Sequence, residues 1–567
     1  GVLMLWAVLT SYVIWYATGQ YFPQLQHLYF GQWMLCGILT RSFLASFFVP
    51  WCKVPMNGTW YPILPLTDWL NGPQLYHQPF TVWFWHYGFW TASLPIALAL
   101  VSIAWRARHV VDRDHIRGLR LLTPKDHNRQ SNGGWFERRQ SRGGMKLGVS
   151  VIAPKKESEH FLITGSPGAG KSTLIRHMLT QIQERGQSAI VIDPDCEFVQ
   201  EFYDEERGDV VLNPLDARCP FWSPWAEFRD DSFPMDAESM AASLIRTQAK
   251  NASEEFFRES GRTLLESIFN VVKERRHAST ITDFLSLSRE DIQQKLKGTR
   301  AYPLIDPGAH EQGSGIIATA ANAVKPFAHL PERKQTSRAW SAREWASSRE
   351  GWVFLSSRED ARAAIQRLQG VWLDSLVRWL MSAEIGSGQV WIMADELPAM
   401  EYQPQIEKLI TRGRKRGLSA VLGFQNVSQL RSIYGADGAI TLTSSPTTKV
   451  ILRCDEAETA KWASELLGSR EVERINMTQL AGLSTMREGV NLQPQRTSEH
   501  IVTAAEIQML KPFHGYLCVA GSDRTTITIT ERHLERKQSA FLPRNKVFSL
   551  PAPAKRLGPL STSRDEV

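Results

Sequence analysis

The chain has 567 residues, of which 43% are hydrophobic and 22% charged, with a formal net charge of +7, six cysteines, 29 prolines and 38 glycines. That composition excludes a disordered chain, a collagen-like repeat and a disulfide-rich miniature, and the length predicts about three to five folding units. The average conceals an uneven distribution: ten of the twenty tryptophans lie in residues 1–105, where Arg41, Lys53 and Asp68 are the only charged residues.

Two apolar stretches, 2–17 and 81–105, read as membrane-spanning helices; the second reaches the roughly 20 residues a bilayer core requires. The first is short and begins at Gly1 rather than a methionine, which leaves room for a preceding cytoplasmic tail; no basic segment marks it as a cleaved signal peptide. Residues 106–150 carry eleven Lys/Arg against four Asp/Glu, and residues 151–567 carry 52 basic and 53 acidic, so the net charge belongs to the membrane-adjacent segment. The positive-inside rule then puts 106–150 in the cytoplasm, where it also suits anionic lipid, and a loop of about 20–79 outside. Within that loop 28–51 is apolar but carries Arg41 near its middle, which favours an interfacial element over a third span. Trp60, Tyr61, Trp69, Trp83, Trp85 and Trp90 suit an aromatic belt. Cys36 and Cys52 fall on the oxidising side and could pair, whereas Cys196, Cys219, Cys454 and Cys518 have no metal-type spacing and read as buried thiols.

After a Gly-rich basic linker, 106–150, the strand-like HFLIT leads into GSPGAGKST, a complete GxxxxGK[ST] formed by Gly165, Ser166, Pro167, Gly168, Ala169, Gly170, Lys171, Ser172 and Thr173. Glycines let successive N–H groups converge on phosphate oxygens, and the following helix presents its positive end to the same anion. Lys171 is expected to reach the β and γ phosphates of ATP and Ser172 to ligate Mg2+. The strands SAIVID and DVVLN, separated by crossovers, predict a parallel sheet with helices on both faces. From 234 to 349 helical periodicity predicts an all-α subdomain inserted between two parts of the nucleotide-binding domain, 151–233 and 350–535. It holds no catalytic constellation, which suits recognition or a lid.

QVWIMADELP then supplies a buried strand ending in Asp395 and Glu396. Asp395 is expected to hold magnesium together with Ser172, and Glu396 to polarise the attacking water. No NKxD motif is present, which disfavours a GTPase. Arg412, Arg414, Lys415 and Arg416 precede a strand ending at Gln425. Arg414, or less favourably Arg412, is positioned in sequence to act as an arginine finger on a neighbouring subunit, a solvated helix end being the plain alternative. Lys415 and Arg416 also suit DNA phosphate contact. Gln425 would sense the γ phosphate. Residues 536–567 read as a disordered tail containing Pro, Lys and Arg.

The order of these features, with VVLNPLDARCPFW, FFRESGRTLLES, WVFLSSRED, ADELP and the GRKRG to FQNVSQL stretch, resembles the type IV secretion coupling proteins. These TraD/TrwB-like, membrane-anchored chains are relatives of the FtsK/HerA motors, and the likeness spans about 1–535. It implies a RecA-like α/β P-loop ATPase with a two-helix transmembrane anchor in the bacterial inner membrane. It also implies a homo-hexamer that takes relaxase-bound single-stranded DNA, with duplex DNA and relaxosome proteins as further partners, and delivers it to inner-membrane components of a secretion channel. The family roles fall on Lys171, Ser172, Asp395, Glu396, Arg414 and Gln425. A nucleotide-switched docking receptor is the alternative; a chromosome translocase of the FtsK type would need four spans and a winged-helix reader. Ala394 stands where a bulkier residue or a thiol is expected, and the chain lacks a long acidic tail, which leaves the all-α subdomain as the leading element for cargo choice.

Overall fold

The computed structural model describes residues 53–56, 59–62, 115–131, 143–246, 251–274, 276–306, 308–384, 388–400, 402–479 and 490–544. Both expected spans, the 28–51 element, the aromatic belt from Trp69 onward, and Cys36 and Cys52 lie outside these residues. No helix among the described residues is long and apolar enough to cross a membrane. The chain divides into two units, residues 1–116 with 473–475, and residues 117–472 with 476–567. What is described of the first is chiefly a hairpin, Lys53–Met56 paired with Thr59–Pro62.

The second unit is built on a ten-stranded sheet. In chain order its strands are β1 (Leu121–Leu122), β2 (Phe161–Thr164), β3 (Ser188–Asp193), β4 (Val210–Val211), β5 (Val353–Ser356), β6 (Val390–Ala394), β7 (Leu418–Phe424), β8 (Thr448–Ile451), β9 (His514–Val519) and β10 (Arg524–Thr528). Their spatial order is β1-β10-β9-β8-β2-β7-β6-β3-β5-β4. The seven strands from β8 to β4 are parallel, while β9 runs antiparallel to both β8 and β10. The sheet is therefore mixed rather than purely parallel, because the chain returns through β9 and β10 by a tight turn instead of a crossover helix. The basic segment 106–150 is also more than a linker: β1 joins the sheet edge beside β10, and Met145–Leu147 forms a hairpin with Ser150–Ile152.

Strand alternation supplies two cores. Leu162, Ile190 and Ile192 face one hydrophobic cluster, while Phe161, Ile163, Ala189 and Val191 face the other. Side chains alternate across a strand, so a nearly continuous apolar run requires cover on both faces. Helix α1 (Lys171–Glu184) provides part of that cover through buried Leu174, Ile175, Met178, Leu179 and Ile182. Burying each large aliphatic side chain contributes about 1.5–3 kcal/mol.

Between β4 and β5 lie the helices α2 (Phe233–Leu244), α3 (Ala252–Val271), α4 (Ala278–Leu285), α5 (Arg289–Lys295), α6 (His310–Val324) and α7 (Ala342–Ser348). Asn251, Ser288 and Ser341 cap three of them by accepting a backbone N–H. These helices share one hydrophobic cluster with the sheet and with α8 (Glu359–Ser382), which follows β5. At the seam the buried Glu227 carboxylate accepts from the indoles of Trp222 and Trp379, at 2.9 and 3.0 Å, and from the amides of Ala342 and Arg343, at 2.7 and 3.1 Å. A buried acid so fully satisfied ties three segments together.

Residues 536–544, assigned to the tail by composition, run extended along the motor. Lys537 and Gln538 amides donate to the Gln200 carbonyl, Ala217 N–H donates to Leu542, and Arg544 N–H donates to Leu215. Arg218 reaches the carbonyls of Ser539 and Ala540 at 3.1 Å each. Low hydrophobicity hides such a strap because its order comes from backbone and arginine hydrogen bonds rather than from apolar burial.

Candidate functional site

The carboxyl ends of four neighbouring strands meet at one level. Phe424 pairs with Thr164, and Ala394 pairs with both Leu422 and Ile192, so the turns after β2, β7, β6 and β3 open on the same edge. The loop after β2 turns through Gly168 at φ 71° and Gly170 at φ 112°, conformations that β-carbon-bearing residues resist. Ser166 N–H donates to the Arg453 carbonyl at 2.7 Å, and its hydroxyl accepts from Asp455 N–H at 2.7 Å. The segment after β8 thus clamps the loop from one side. Phe513 N–H donates to the Ala169 carbonyl at 3.0 Å and clamps it from beyond.

Lys171 starts α1 and is buried, its ammonium donating to the Gly165 carbonyl at 2.6 Å. Burial lowers its pKa, opposed by the Asp395 and Glu396 charges. The Ser172 hydroxyl donates to Asp395 Oδ2 at 2.6 Å. Burial raises the Asp395 carboxyl above its ordinary range against the pull of Ser172 and Lys171. Burial likewise pushes Glu396 up to about 7, opposed by Lys171 and by hydrogen bonding from Gln425. Asp395 Oδ1 and Glu396 Oε2 are buried oxygens with no protein donor. A hydroxyl bonded to one carboxylate oxygen, with the second oxygen free beside a cationic amine, fits a hard divalent cation and an anion between them.

Pro167, Gly168, Gly170, Lys171, Ser172, Thr173, Asp395, Glu396 and Gln425 line one cavity of about 510 Å³; Gly165, Ser166 and Ala169 form the loop's buried underside. Sequence reasoning missed other lining residues: Arg176, Asp195, Glu197, Glu359, Arg362 and Phe513. Arg362 bridges to Asp195 at 3.0 Å and to Glu359 at 2.6 Å. Asp193, at the end of β3, accepts from the amides of Glu197 and Val199 at 2.9 Å each and fixes the turn that carries these residues; burial pushes its carboxyl up to about 7. The four cysteines read as ordinary thiols are all buried and free, and burial raises the pKa of each.

Arg414 stands apart from this cavity. It precedes β7, at the amino edge of the parallel strands, is exposed, and pairs with Glu159 at 2.7 Å. Arg412 and Lys415 are exposed nearby, and Arg416 donates to the Ala383 carbonyl.

A phosphate loop and a paired acid, set at the carboxyl edge of a sheet with helices on both faces, define a P-loop protein of the RecA-like α/β class. Residues 145–530 match the model of the type IV secretion-system coupling protein DNA-binding domain, and the chain belongs to that family. It is 26% identical over 499 residues to the coupling protein TraD of Escherichia coli (strain K12), covering 84% of this chain and 68% of that one. Its fold is also that of the bacterial conjugative coupling protein TrwBdeltaN70, with a TM-score of 0.66 and 23% identity, over 76% of this chain and 96% of that chain. TrwB in complex with the non-hydrolysable ATP analogue ADPNP gives a TM-score of 0.65 and 24% identity over 76% and 97%. The complex with ADP and Mg2+ gives 0.65 and 24% over 76% and 98%.

Proposed function

We propose that this coupling protein is a membrane-anchored ATPase of a conjugative type IV secretion system, held in the bacterial inner membrane with its motor in the cytoplasm. In this reading it forms a homo-hexamer, receives relaxase-bound single-stranded DNA through relaxosome proteins, and uses ATP hydrolysis to drive the strand to inner-membrane components of the channel. The observation that carries it is the chain from Ser172 to Asp395, with Glu396 and Gln425 alongside, facing a buried Lys171. The family membership and the nucleotide complexes of the similarly folded TrwB support it.

The Lys171 ammonium donates to the Gly165 carbonyl. A phosphate chain entering the loop exchanges that carbonyl acceptor for an anionic one, so that both partners of the bond are charged. Ser172 and Asp395 are the residues that would hold magnesium, whose chemistry when bound is to neutralise charge on the phosphate oxygens. Glu396, once ionised, accepts a proton from the attacking water, and Gln425 holds its carboxyl in place.

The test is hydrolysis of ATP by the detergent-solubilised protein with and without single-stranded DNA, joined to a mating assay. Lys171→Ala and Glu396→Gln are expected to lose DNA-stimulated turnover and DNA transfer together. Transfer that survives Glu396→Gln would overturn the pumping role in favour of a docking receptor switched by nucleotide.

A further inference from the structure

A second cavity, of about 680 Å³, lies away from the phosphate loop, where the helical insertion meets α8 and the segment after the acid pair. Its chemistry is concentrated in Arg246, Arg258, Arg367, Glu254, Phe257 and Tyr402. We propose that this cavity binds a small phosphate monoester carrying a planar ring, of the mononucleotide class, and that the bound ligand regulates hydrolysis. The binding site stands apart from the ATPase reading above; its effect on turnover rests on that reading.

The arginines define the anion. Among the described residues that line the cavity Glu254 is the one acid against three guanidiniums, so the space is positively charged, and like charges held together favour an entering anion. Each guanidinium is held by the fold. Arg258 pairs with Glu254 at 2.5 Å and donates to the Arg246 carbonyl, Arg367 donates to the Asn322 carbonyl at 2.9 Å, and Arg246 lies 3.8 Å from the buried Asp374. Arg246 sits deepest, its side chain 9% exposed, against Gly370 of α8, where a β-carbon would stand 1.9 Å from Nη2. Glycine weakens a helix interior, and here it makes room for a charge at the cavity floor. The buried Gln403 amide approaches the same point, and neither of its polar atoms finds a partner among the described residues, so the floor is polar beyond its arginine. A terminal group can reach a recessed guanidinium; a phosphodiester whose chain must leave on both sides cannot. A carboxylate brings one charge and two oxygens, whereas a phosphate monoester brings nearly two charges and three oxygens, the better match to three guanidiniums offset by one Glu254.

The aromatic residues define the rest of the ligand. Gly315 of α6 packs so closely on Phe257 that a β-carbon would stand 2.7 Å from Cε1, and Tyr402 meets the Tyr434 ring edge-on at 5.4 Å, so both rings are fixed in place. Such faces stack on any base. Phe257 and Arg258 belong to the FFRESGRTLLES stretch, which the hydrolytic cavity leaves unused. Two elements join the two cavities. Helix α8 carries Glu359 and Arg362 at the hydrolytic cavity and Arg367 at this one, and Tyr402 follows Glu396 by six residues. A ligand held by Arg367 and Tyr402 therefore bears on both the helix and the acid-bearing segment.

The test titrates the full-length protein in detergent, its phosphate loop saturated with ADPNP and magnesium, against the four nucleoside 5′-monophosphates by calorimetry. At least one monophosphate is expected to bind while its nucleoside does not, and Arg246→Ala and Arg367→Ala are each expected to weaken it about tenfold or more, with ADPNP affinity changed by less than about twofold. Should Arg246→Ala fail to fold because Asp374 loses its arginine, Arg367→Ala, on a partly exposed side chain, carries the measurement. Absence of binding by all four, or binding that the variants leave unchanged, overturns the site. A single strand without a terminal phosphate that competes for the cavity, with equal loss in the variants, assigns it to the strand and overturns the small-ligand class. The bound monophosphate is expected to change DNA-stimulated hydrolysis by about fivefold, an effect lost in Arg367→Ala. Unchanged turnover, or a change that persists in Arg367→Ala as competition at the phosphate loop would, overturns the regulation. Lys171→Ala is expected to lose ADPNP and keep the monophosphate, so failure of the phosphate-loop reading and failure of this site are separately visible.

Discussion

Glu396 shows how much of the chemistry is set by a single burial. Its carboxyl is pushed up to about 7 because the pocket strips away water, and Lys171 and Gln425 recover only part of that loss. Folding raises this pKa, so below the unfolded value near 4.5 the carboxyl is neutral in both states and costs nothing, and the penalty grows as pH rises, becoming complete above about 7. Glu396→Gln is therefore expected to raise the stability of the nucleotide-free protein by about 1–3 kcal/mol at pH 8 and by little at pH 4.5. Thermal melts at the two pH values check this, and a variant that melts lower at pH 8 would contradict it. The same titration acts on turnover in the opposite sense: if the ionised form is the proton acceptor, as proposed, hydrolysis by the wild type should rise with pH through about 7 and then level. A rate independent of pH between 6 and 8 would show that Glu396 is ionised throughout and that its burial is relieved on binding.

The elements decide whether such residues meet. Gly423 lies one residue from the end of β7, where a β-carbon would stand 2.1 Å from the Asp395 carbonyl oxygen and 2.8 Å from its carbonyl carbon. This approach is backbone against backbone and cannot be relieved by a rotamer change. Gly423→Ala should therefore push the two strand ends apart, cutting kcat at least about tenfold while ATP affinity, which rests on the loop after β2, changes little; it should also cost about 1–3 kcal/mol of stability. Measuring kcat and nucleotide affinity separately distinguishes this from general unfolding. The strap makes a second prediction. Arg218 pairs with the buried Asp216 at 2.7 Å and holds two strap carbonyls, so Arg218→Ala leaves a buried charge unpaired and should destabilise the protein by about 3–5 kcal/mol. Hydrogen exchange at 536–544 should then rise to that of free chain, and unchanged protection would show that the backbone bonds alone suffice. These two features explain what the sequence could and could not convey. GSPGAGKST and ADELP were legible because each carries its chemistry on consecutive residues after an apolar strand. Gly423, Arg453, Asp455 and Phe513 were not, because each belongs to the site only through the strand order: β7 beside β6 for Gly423, β8 beside β2 for Arg453 and Asp455, and the antiparallel return of β9 for Phe513. The strap escaped for another reason: its order comes from hydrogen bonds to segments more than 300 residues away, which leave no local pattern.

At the scale of the whole molecule, the position of Arg414 bears directly on assembly. Strand β7 separates it from Gln425 and spans seven residues, roughly 20 Å, far beyond the reach of a side chain. Arg414 therefore does not reach the phosphate-loop cavity of its own chain; in the proposed ring it would act on a neighbour, or it does no more than pair with Glu159. A head-to-tail ring would bring the amino edge of one sheet to the carboxyl edge of the next, and such interfaces are heterologous, so each site is completed by one partner only. This makes a mixing experiment decisive. Lys171→Ala and Arg414→Ala, each inactive alone in the trans reading, should regain hydrolysis when combined. A subunit with an intact loop but no arginine can then receive Arg414 from a neighbour whose loop is dead. With random mixing at equal amounts this productive pairing occurs at about one interface in four, so turnover should return to about a quarter of the wild-type value. Arg414→Ala that retains full activity by itself would reduce the residue to its ion pair with Glu159. Two inactive proteins that stay inactive when mixed, while still co-assembling by size, would show that the arginine does not act across the interface.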